Sequence, residues 1–251
     1  MLMGPQNLPE RLREVRERIK KTAIGGGRPV DSITLLGITK GHPASVLSCA
    51  VQLGMREFGE SYLQEALDKM AELAKLRAQV APPQQNASVP EVTWHFVGRL
   101  QSNKTRPVAE GFAWVHAIDR LKIAERLAEQ RPYYAPPLNV CLQVNVGGED
   151  SKGGVSLAEL PALATRVAAL PRLKLRGLMC LPPEENDPQR QRHWFGLVRT
   201  ALEQLKASGL ALDTLSMGMS GDLEAAIHEG STLVRVGTAL FGPREKAQPT
   251  P

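Results

Sequence analysis

The sequence predicts an α/β protein: a single (β/α)8 barrel of the TIM type, with an extra helix ahead of its first strand. Three observations carry that expectation. Short apolar, β-branched runs alternate with helical patterns from residue 33 onward. Eight such runs occur, each separated from the next by a helical stretch, which is the order of a parallel barrel. The length, 251 residues, fits one such barrel. A doubly wound open sheet is the alternative, and the lack of a GxGxxG after the first run counts against it. The barrel domain is expected over residues 1–242, with 243–251 a disordered tail.

Each element has its own local cause. Leu8, Leu12, Val15 and Ile19 fall at helical spacing among charges, so the first helix lays an apolar stripe on a core; partner binding is the alternative use. The first strand, Ile33–Lys40, is an apolar run closed by Gly41-His42-Pro43. A helix over Ala44–Leu53 stops at Gly54. Arg56–Glu60 reads as the second strand and Tyr62–Gln79 as a long helix. Residues 81–90 are polar and Pro-rich, a mobile surface loop. Thr93–Val97 is the third strand, with a short helix after Gly98–Lys104, and Trp114–Ile118 is the fourth. Asp119 can cap a helix over Arg120–Gln130. Leu138–Val146 is the fifth strand. Ser156 with Glu159 forms a capping box for Leu157–Ala169. Leu173–Cys180 is the sixth strand, and the helix Gln189–Ala207 ends at Gly209. Leu212–Met217 and Thr232–Phe241 are the seventh and eighth strands, with a short helix to Glu229 between them.

Composition excludes several functions. Hydrophobic residues make up 42% of the chain and charged ones 23%, enough apolar material for one core. The net charge of +5 comes from scattered basic residues with no long run, so no nucleic-acid partner is expected. No stretch is long and apolar enough to span a membrane, and the N-terminus lacks a signal pattern. Cys49, Cys141 and Cys180 are far apart and form no CxxC. They suggest neither a disulfide framework nor a zinc site, and they fit a reducing cytoplasm.

Barrel sites lie at the C-terminal ends of the strands. Lys40 ends the first strand on the same face as Leu36 and Ile38. A lysine partly desolvated there becomes a nucleophile toward aldehydes; a solvated lysine with no special task is the alternative. The loops after strands seven and eight often hold a phosphate. Here they are Met217–Asp222 and Arg235–Thr238. Ser220 either caps a helix or binds an anion, and Asp222 suits the helix dipole better than a neighbouring phosphate. Arg235 shares a strand face with Leu233 and Gly237. If that face is the barrel interior, its guanidinium needs a partner: a barrel carboxylate, a ligand ring nitrogen or a phosphate. A strand-end lysine, a phosphate cradle and an inward arginine together suggest pyridoxal phosphate. An arginine at the pyridine nitrogen keeps it unprotonated, a weaker electron sink than an aspartate would give.

The stretches Gly37–Lys40, Phe58–Glu65, Trp94–Lys104, His116–Arg120, Leu175–Met179, Leu215–Ser220 and Gly230–Gly242 carry a resemblance over nearly the whole chain. The sequence resembles the pyridoxal phosphate homeostasis proteins, the YggS/PROSC group, which are similar to the N-terminal barrel domain of alanine racemase. The resemblance implies pyridoxal 5'-phosphate (PLP) held as a Schiff base on Lys40. It implies phosphate contacts from Ser220, Gly237 and Thr238 and places Arg235 near the pyridine nitrogen, with Ser61 and Met219 completing the binding set. It implies a role in vitamin B6 homeostasis and no established enzyme activity; PLP and PLP-dependent apo-enzymes are the expected partners, with a monomeric state and no catalytic residue or metal expected.

Three positions depart from the family pattern. Ser61 stands where an asparagine is usual, Arg99 where a proline is usual, and His42 where a second lysine is usual. His42 reads as a turn residue, with proton shuttling as the alternative. Two other functions compete with a PLP carrier. An amino-acid racemase needs acid/base groups on both faces of the substrate α-carbon. The tyrosines Tyr62, Tyr133 and Tyr134 occupy no opposing position, and the chain ends too soon after strand eight to hold a second domain. No robust racemase activity is therefore expected. A module signalling cofactor status to a partner protein is the third reading.

Overall fold

The computed structural model describes residues 7–80, 91–149 and 152–243. The loop expected at 81–90 and the tail beyond Pro243 lie outside the described residues. Eight parallel strands close into a barrel in sequence order: β1 (Thr34–Ile38), β2 (Glu57–Glu60), β3 (Thr93–Phe96), β4 (Trp114–Ile118), β5 (Leu138–Val144), β6 (Leu173–Cys180), β7 (Thr214–Ser216) and β8 (Leu233–Val236). Closure comes from β1 pairing with β8, where Leu36 faces Arg235 in register. The open-sheet alternative is thereby excluded.

A helix follows each strand. These are α2 (Ala44–Gln52), α3 (Leu63–Val80), α4 (Thr105–Gly111), α5 (Leu121–Gln130), α6 (Leu160–Ala168), α7 (Pro188–Ala207), α8 (Leu223–His228) and α9 (Thr238–Phe241). The extra helix α1 (Leu8–Gly25) precedes β1. Its stripe of Leu8, Leu12, Val15 and Ile19 is buried against Leu223 and Ile227 of α8 and Leu240 and Phe241 of α9. The barrel itself therefore covers this amphipathic face, as a stripe at period 3.6 requires.

Most elements form where local chemistry places them. Asp187 caps α7 by accepting from Gln189 N–H at 2.9 Å, behind Pro188 at the first helical position. The capping box of Ser156 and Glu159 is made, Ser156 Oγ to Glu159 Oε2 at 2.6 Å, although regular helix begins only at Leu160. Two expectations need correction. Asp119 does not cap α5; Arg120 is the N-cap residue, and Asp119 instead pairs with its guanidinium at 2.9 Å. The eighth strand does not run to Phe241. It ends at Val236, and Thr238–Phe241 is the turn of helix α9. Gly237, at φ −110 and ψ −82, leaves the strand conformation and starts that turn.

The interior is unusual for a barrel. Layers of branched apolar side chains are the general rule. Here buried His95, His116, Ser216 and Arg235 stand among the inward positions. The large apolar clusters include Phe58, Phe112, Phe195, Ile118 and Leu127, drawn from both strands and helices.

Candidate functional site

Lys40 sits two residues past the end of β1, in a turn, rather than on the strand itself. A buried polar network fixes that turn. Glu60, at the end of β2, is fully buried and accepts from Thr39 Oγ1 at 2.6 Å and Lys69 Nζ at 2.6 Å. Lys69 of α3 also donates to the Thr39 carbonyl at 2.7 Å and to Glu65 Oε1 at 2.9 Å. Glu65 in turn accepts the Gly41 N–H. Residues on both sides of Lys40 are thus tied to one cation that is 5% exposed. Burial pushes the Glu60 carboxyl above the usual carboxylate range, against the pull of Lys69 and Thr39. Glu65 shows the opposite balance: burial pushes it up, but Lys69 and the Gly41 amide outweigh that and hold it low.

The turn opens on a cavity of about 520 Å³ at the C-terminal end of the barrel. Lys40, Ser61, Met219, Ser220, Arg235, Gly237 and Thr238 all line it. Sequence positions spread over nearly 200 residues are therefore brought to one chamber by strand ends, as the barrel rule demands. Val97, Gln143, Met179 and Leu181 add partly apolar walls.

The loops after β7 and β8 form one end of the chamber. Ser220 does not cap α8, whose N-cap residue is Asp222. Its Oγ instead accepts from Ala239 N–H at 3.3 Å, at the opening turn of α9. Asp222 accepts the Met219 N–H at the exposed loop and does not line the chamber. Gly221 faces open space, with no heavy atom within 4 Å of where a Cβ would stand. Gly218 needs its positive φ of +93, and a Cβ there would lie 2.6 Å from the Ala226 Cβ. From outside, Arg18 of α1 supports this loop, donating to the Ser220 carbonyl at 3.0 Å and pairing with Glu224 at 2.7 Å.

Arg235 is buried in the interior, and its partner is not a carboxylate. Among the described residues no acidic group stands within ion-pair range. Its Nη1 donates to the carbonyl of Ser216 and to Ser216 Oγ, the latter at 2.9 Å, and its Nη2 donates to the Cys180 carbonyl at 2.8 Å. Burial lowers its pKa, yet a guanidinium remains a cation in a protein.

Sequence reading missed Gln143 and Lys152. Lys152, on the loop after β5, donates to the Pro182 carbonyl at 2.7 Å and pairs with Glu149 at 2.7 Å. Gln143 Nε2 donates to the Lys152 carbonyl at 2.6 Å, which ties that loop to β5. The signal was available: a lysine in a glycine-flanked loop after a barrel strand lies on the functional face. Of the departures noted in the sequence, Ser61 and Arg99 line the chamber and His42 does not; its ring lies 5.6 Å from that of Phe241. Gly98 is what lets Ser61 sit there, since a Cβ at 98 would lie 2.2 Å from the Ser61 carbonyl oxygen. A larger neighbouring cavity of about 700 Å³ shares Ser61, Gly98 and Arg99 but lacks the lysine and both phosphate-type loops.

Charge decides what the chamber can hold. Lys40, Arg99, Lys152 and Arg235 line it, and among the described residues no aspartate or glutamate does. Four cationic side chains around small, hydroxyl-bearing loops suit a compact anion that carries an electrophilic group for the lysine.

Known proteins similar to this chain point the same way. A protein of Pseudomonas aeruginosa named pyridoxal phosphate homeostasis protein is 51% identical over 96% of this chain and 98% of its own length. The chain belongs to the pyridoxal phosphate homeostasis protein family. The Escherichia coli K12 member of that family is 47% identical over 95% of this chain and 97% of its own. The family model described as "Alanine racemase, N-terminal domain" matches residues 37–245. Among solved structures, PipY of Synechococcus elongatus with PLP bound superposes with a TM-score of 0.79. It is 35% identical and covers 94% of this chain and 100% of that one. The alanine racemase-like barrel expected from the sequence is therefore the fold of this family.

Proposed function

We propose that this protein binds PLP as a Schiff base on Lys40 and acts in intracellular PLP homeostasis, as a carrier without robust turnover of its own. The observation that carries this reading is the chamber itself, with Lys40 beside the Ser220, Gly237 and Thr238 loops and Arg235 in its wall. The names of the relatives and the PLP in PipY support it. When bound, PLP would supply an electrophilic aldehyde, and Lys40 would be the amine that holds it. Ser220 Oγ and the first N–H groups of α9 would receive the phosphate dianion. Arg235, a donor only, would face the pyridine nitrogen and leave it without a proton. Ser61 and Met219 would close the chamber around the ring.

A racemase is the less supported reading. It needs proton-transfer groups on two faces of a substrate. Among the described residues the chamber offers no tyrosine, histidine or carboxylate, and Lys152 is engaged by Glu149 and Pro182. We place the function in one domain, residues 1–242, acting as a monomer in the cytoplasm with PLP-dependent apo-enzymes as recipients. The burial of the α1 stripe supports the monomer. Burial pushes the thiols of Cys141 and Cys180 up to about 12, where neither reacts readily.

The test is the absorbance of the purified protein after PLP loading, then borohydride reduction and peptide mass spectrometry. A yellow protein with phosphopyridoxyl on Lys40, lost in Lys40→Ala, is expected. A protein that stays colourless, or a label on another lysine with Lys40 unmodified, would overturn the assignment.

A further inference from the structure

A third cavity, of about 420 Å³, opens at the opposite, N-terminal mouth of the barrel, where Glu57 and His95 line it. From it a line of polar side chains runs inward. Glu57 Oε2 lies 2.6 Å from His95 Nε2, and His95 Nδ1 lies 2.9 Å from His116 Nε2. His116 Nδ1 lies 2.8 Å from Ser216 Oγ, which lies 2.9 Å from Arg235 Nη1. Four contacts thus join a carboxylate at one mouth to a guanidinium that lines the chamber at the other.

An ionised carboxylate can only accept and a guanidinium can only donate. Burial favours neutral rings, lowering the pKa of His95 and His116, and the neighbouring His95 and Arg235 lower that of His116 further. With both rings neutral, Glu57 sets the order of the hydrogens. His95 donates from Nε2 to Glu57, so its Nδ1 accepts from His116 Nε2–H. His116 Nδ1 then accepts from the Ser216 hydroxyl, whose oxygen accepts from Arg235. The two rings share one tautomer and point the same way. The two rings are 1% and 0% exposed, so water does not compete for these bonds. His95 is also clamped flat on Trp114, with ring centroids 5.4 Å apart and planes 9° apart.

We propose that Glu57 is a positioning residue for Arg235: an oriented hydrogen-bond relay through His95, His116 and Ser216 sets the orientation of the guanidinium from the far mouth of the barrel. This deepens the PLP reading, because Arg235 is the group assigned to the pyridine nitrogen. Burial opposes the charged guanidinium, and Asp222, on the loop after β7, favours it through space. The relay adds what Asp222 does not supply, a directional link to Glu57 through polarised bonds that strengthen one another in a low-dielectric interior.

Nitrogen-15 NMR of the histidine and arginine side chains in the PLP-free protein tests the relay directly. His95 and His116 are expected as Nε2–H tautomers near neutral pH. Glu57→Leu should give His95 a mixture of tautomers and move the Arg235 Nε–H signal. Glu57→Gln, whose amide oxygen still accepts, should restore both signals. Ser32→Ala, in the same lower cavity but outside the relay, should change neither. PLP titration provides the second readout: Glu57→Leu should bind about tenfold more weakly, the scale of a buried polar group losing its partner, and Glu57→Gln should recover most of that. His116 found with its hydrogen on Nδ1, or an Arg235 signal unmoved in Glu57→Leu, would overturn the relay. If the wild-type protein bound no PLP, the PLP reading would fail while the tautomers still decided the relay.

Discussion

Replacing Lys69 with methionine keeps most of the side-chain volume and removes the buried cation beneath the Lys40 turn. The consequence falls on Glu60. Its carboxylate has no exposure, and its Oε1 holds two bonds of 2.6 Å, to Lys69 and to Thr39, while Oε2 has no hydrogen-bond partner. Without Lys69 a buried anion is left with one neutral donor. Breaking a buried ion pair by removing one member costs about 3–5 kcal/mol. Glu60 can recover part of this by taking up a proton. Its pKa is already raised by burial, and losing Lys69 raises it further. A carboxyl whose folded pKa lies above its unfolded one binds a proton that the unfolded chain has lost. Stability therefore falls as pH rises through that interval, at about 1.4 kcal/mol per pH unit.

Urea unfolding at about pH 5 and about pH 8 reads this out. Lys69→Met is expected to lose about 3–5 kcal/mol at the higher pH and markedly less at the lower one. The double variant Glu60→Leu/Lys69→Met should regain most of the loss, since an apolar replacement of a buried pair is often neutral. The Gly41 amide should also exchange faster in the single variant, because Glu65 loses the cation that orders it. A loss under about 1 kcal/mol at the higher pH, or an equal loss at both, would refute the view of this pair as a buried clamp.

Two further outcomes follow from the same geometry. Gly98→Ala should destabilise the fold by about 1–3 kcal/mol, the range for overpacking, and weaken PLP binding, because its Cβ would displace Ser61; thermal unfolding and PLP titration check both effects. His95 and His116 have folded pKa values held below the ordinary 6.5 by burial. Their contribution is complete above that value and is lost as pH falls from it toward the folded values. The slope should approach about 1.4 kcal/mol per pH unit for each ring, and urea unfolding of His116→Asn should show a shallower one.

What could be read from the sequence divides along a physical line. Lys40, Ser220, Gly237 and Thr238 were legible because a parallel barrel sends every strand end to one face, so topology alone brings them together. The end of β8 was not legible. Leu-Val-Arg-Val passes into Gly-Thr-Ala-Leu-Phe with no change in apolar character, and periodicity cannot distinguish a strand from one helical turn there. The Lys69–Glu60 pair depends on which face of α3 meets β2, a tertiary fact that spacing along α3 does not state. Arg235 shows the limit most clearly. Its inward direction follows from strand alternation, and so does its need for partners. The partner's identity does not follow, because residues on opposite sides of a barrel meet across its interior without being neighbours in the sheet. His116 on β4 reaches Ser216 on β7, 100 positions away, and no register of adjacent strands relates them. Arg235 itself pairs with no acid among the described residues; it donates to Ser216 and to the Cys180 carbonyl, partners that strand alternation does not name.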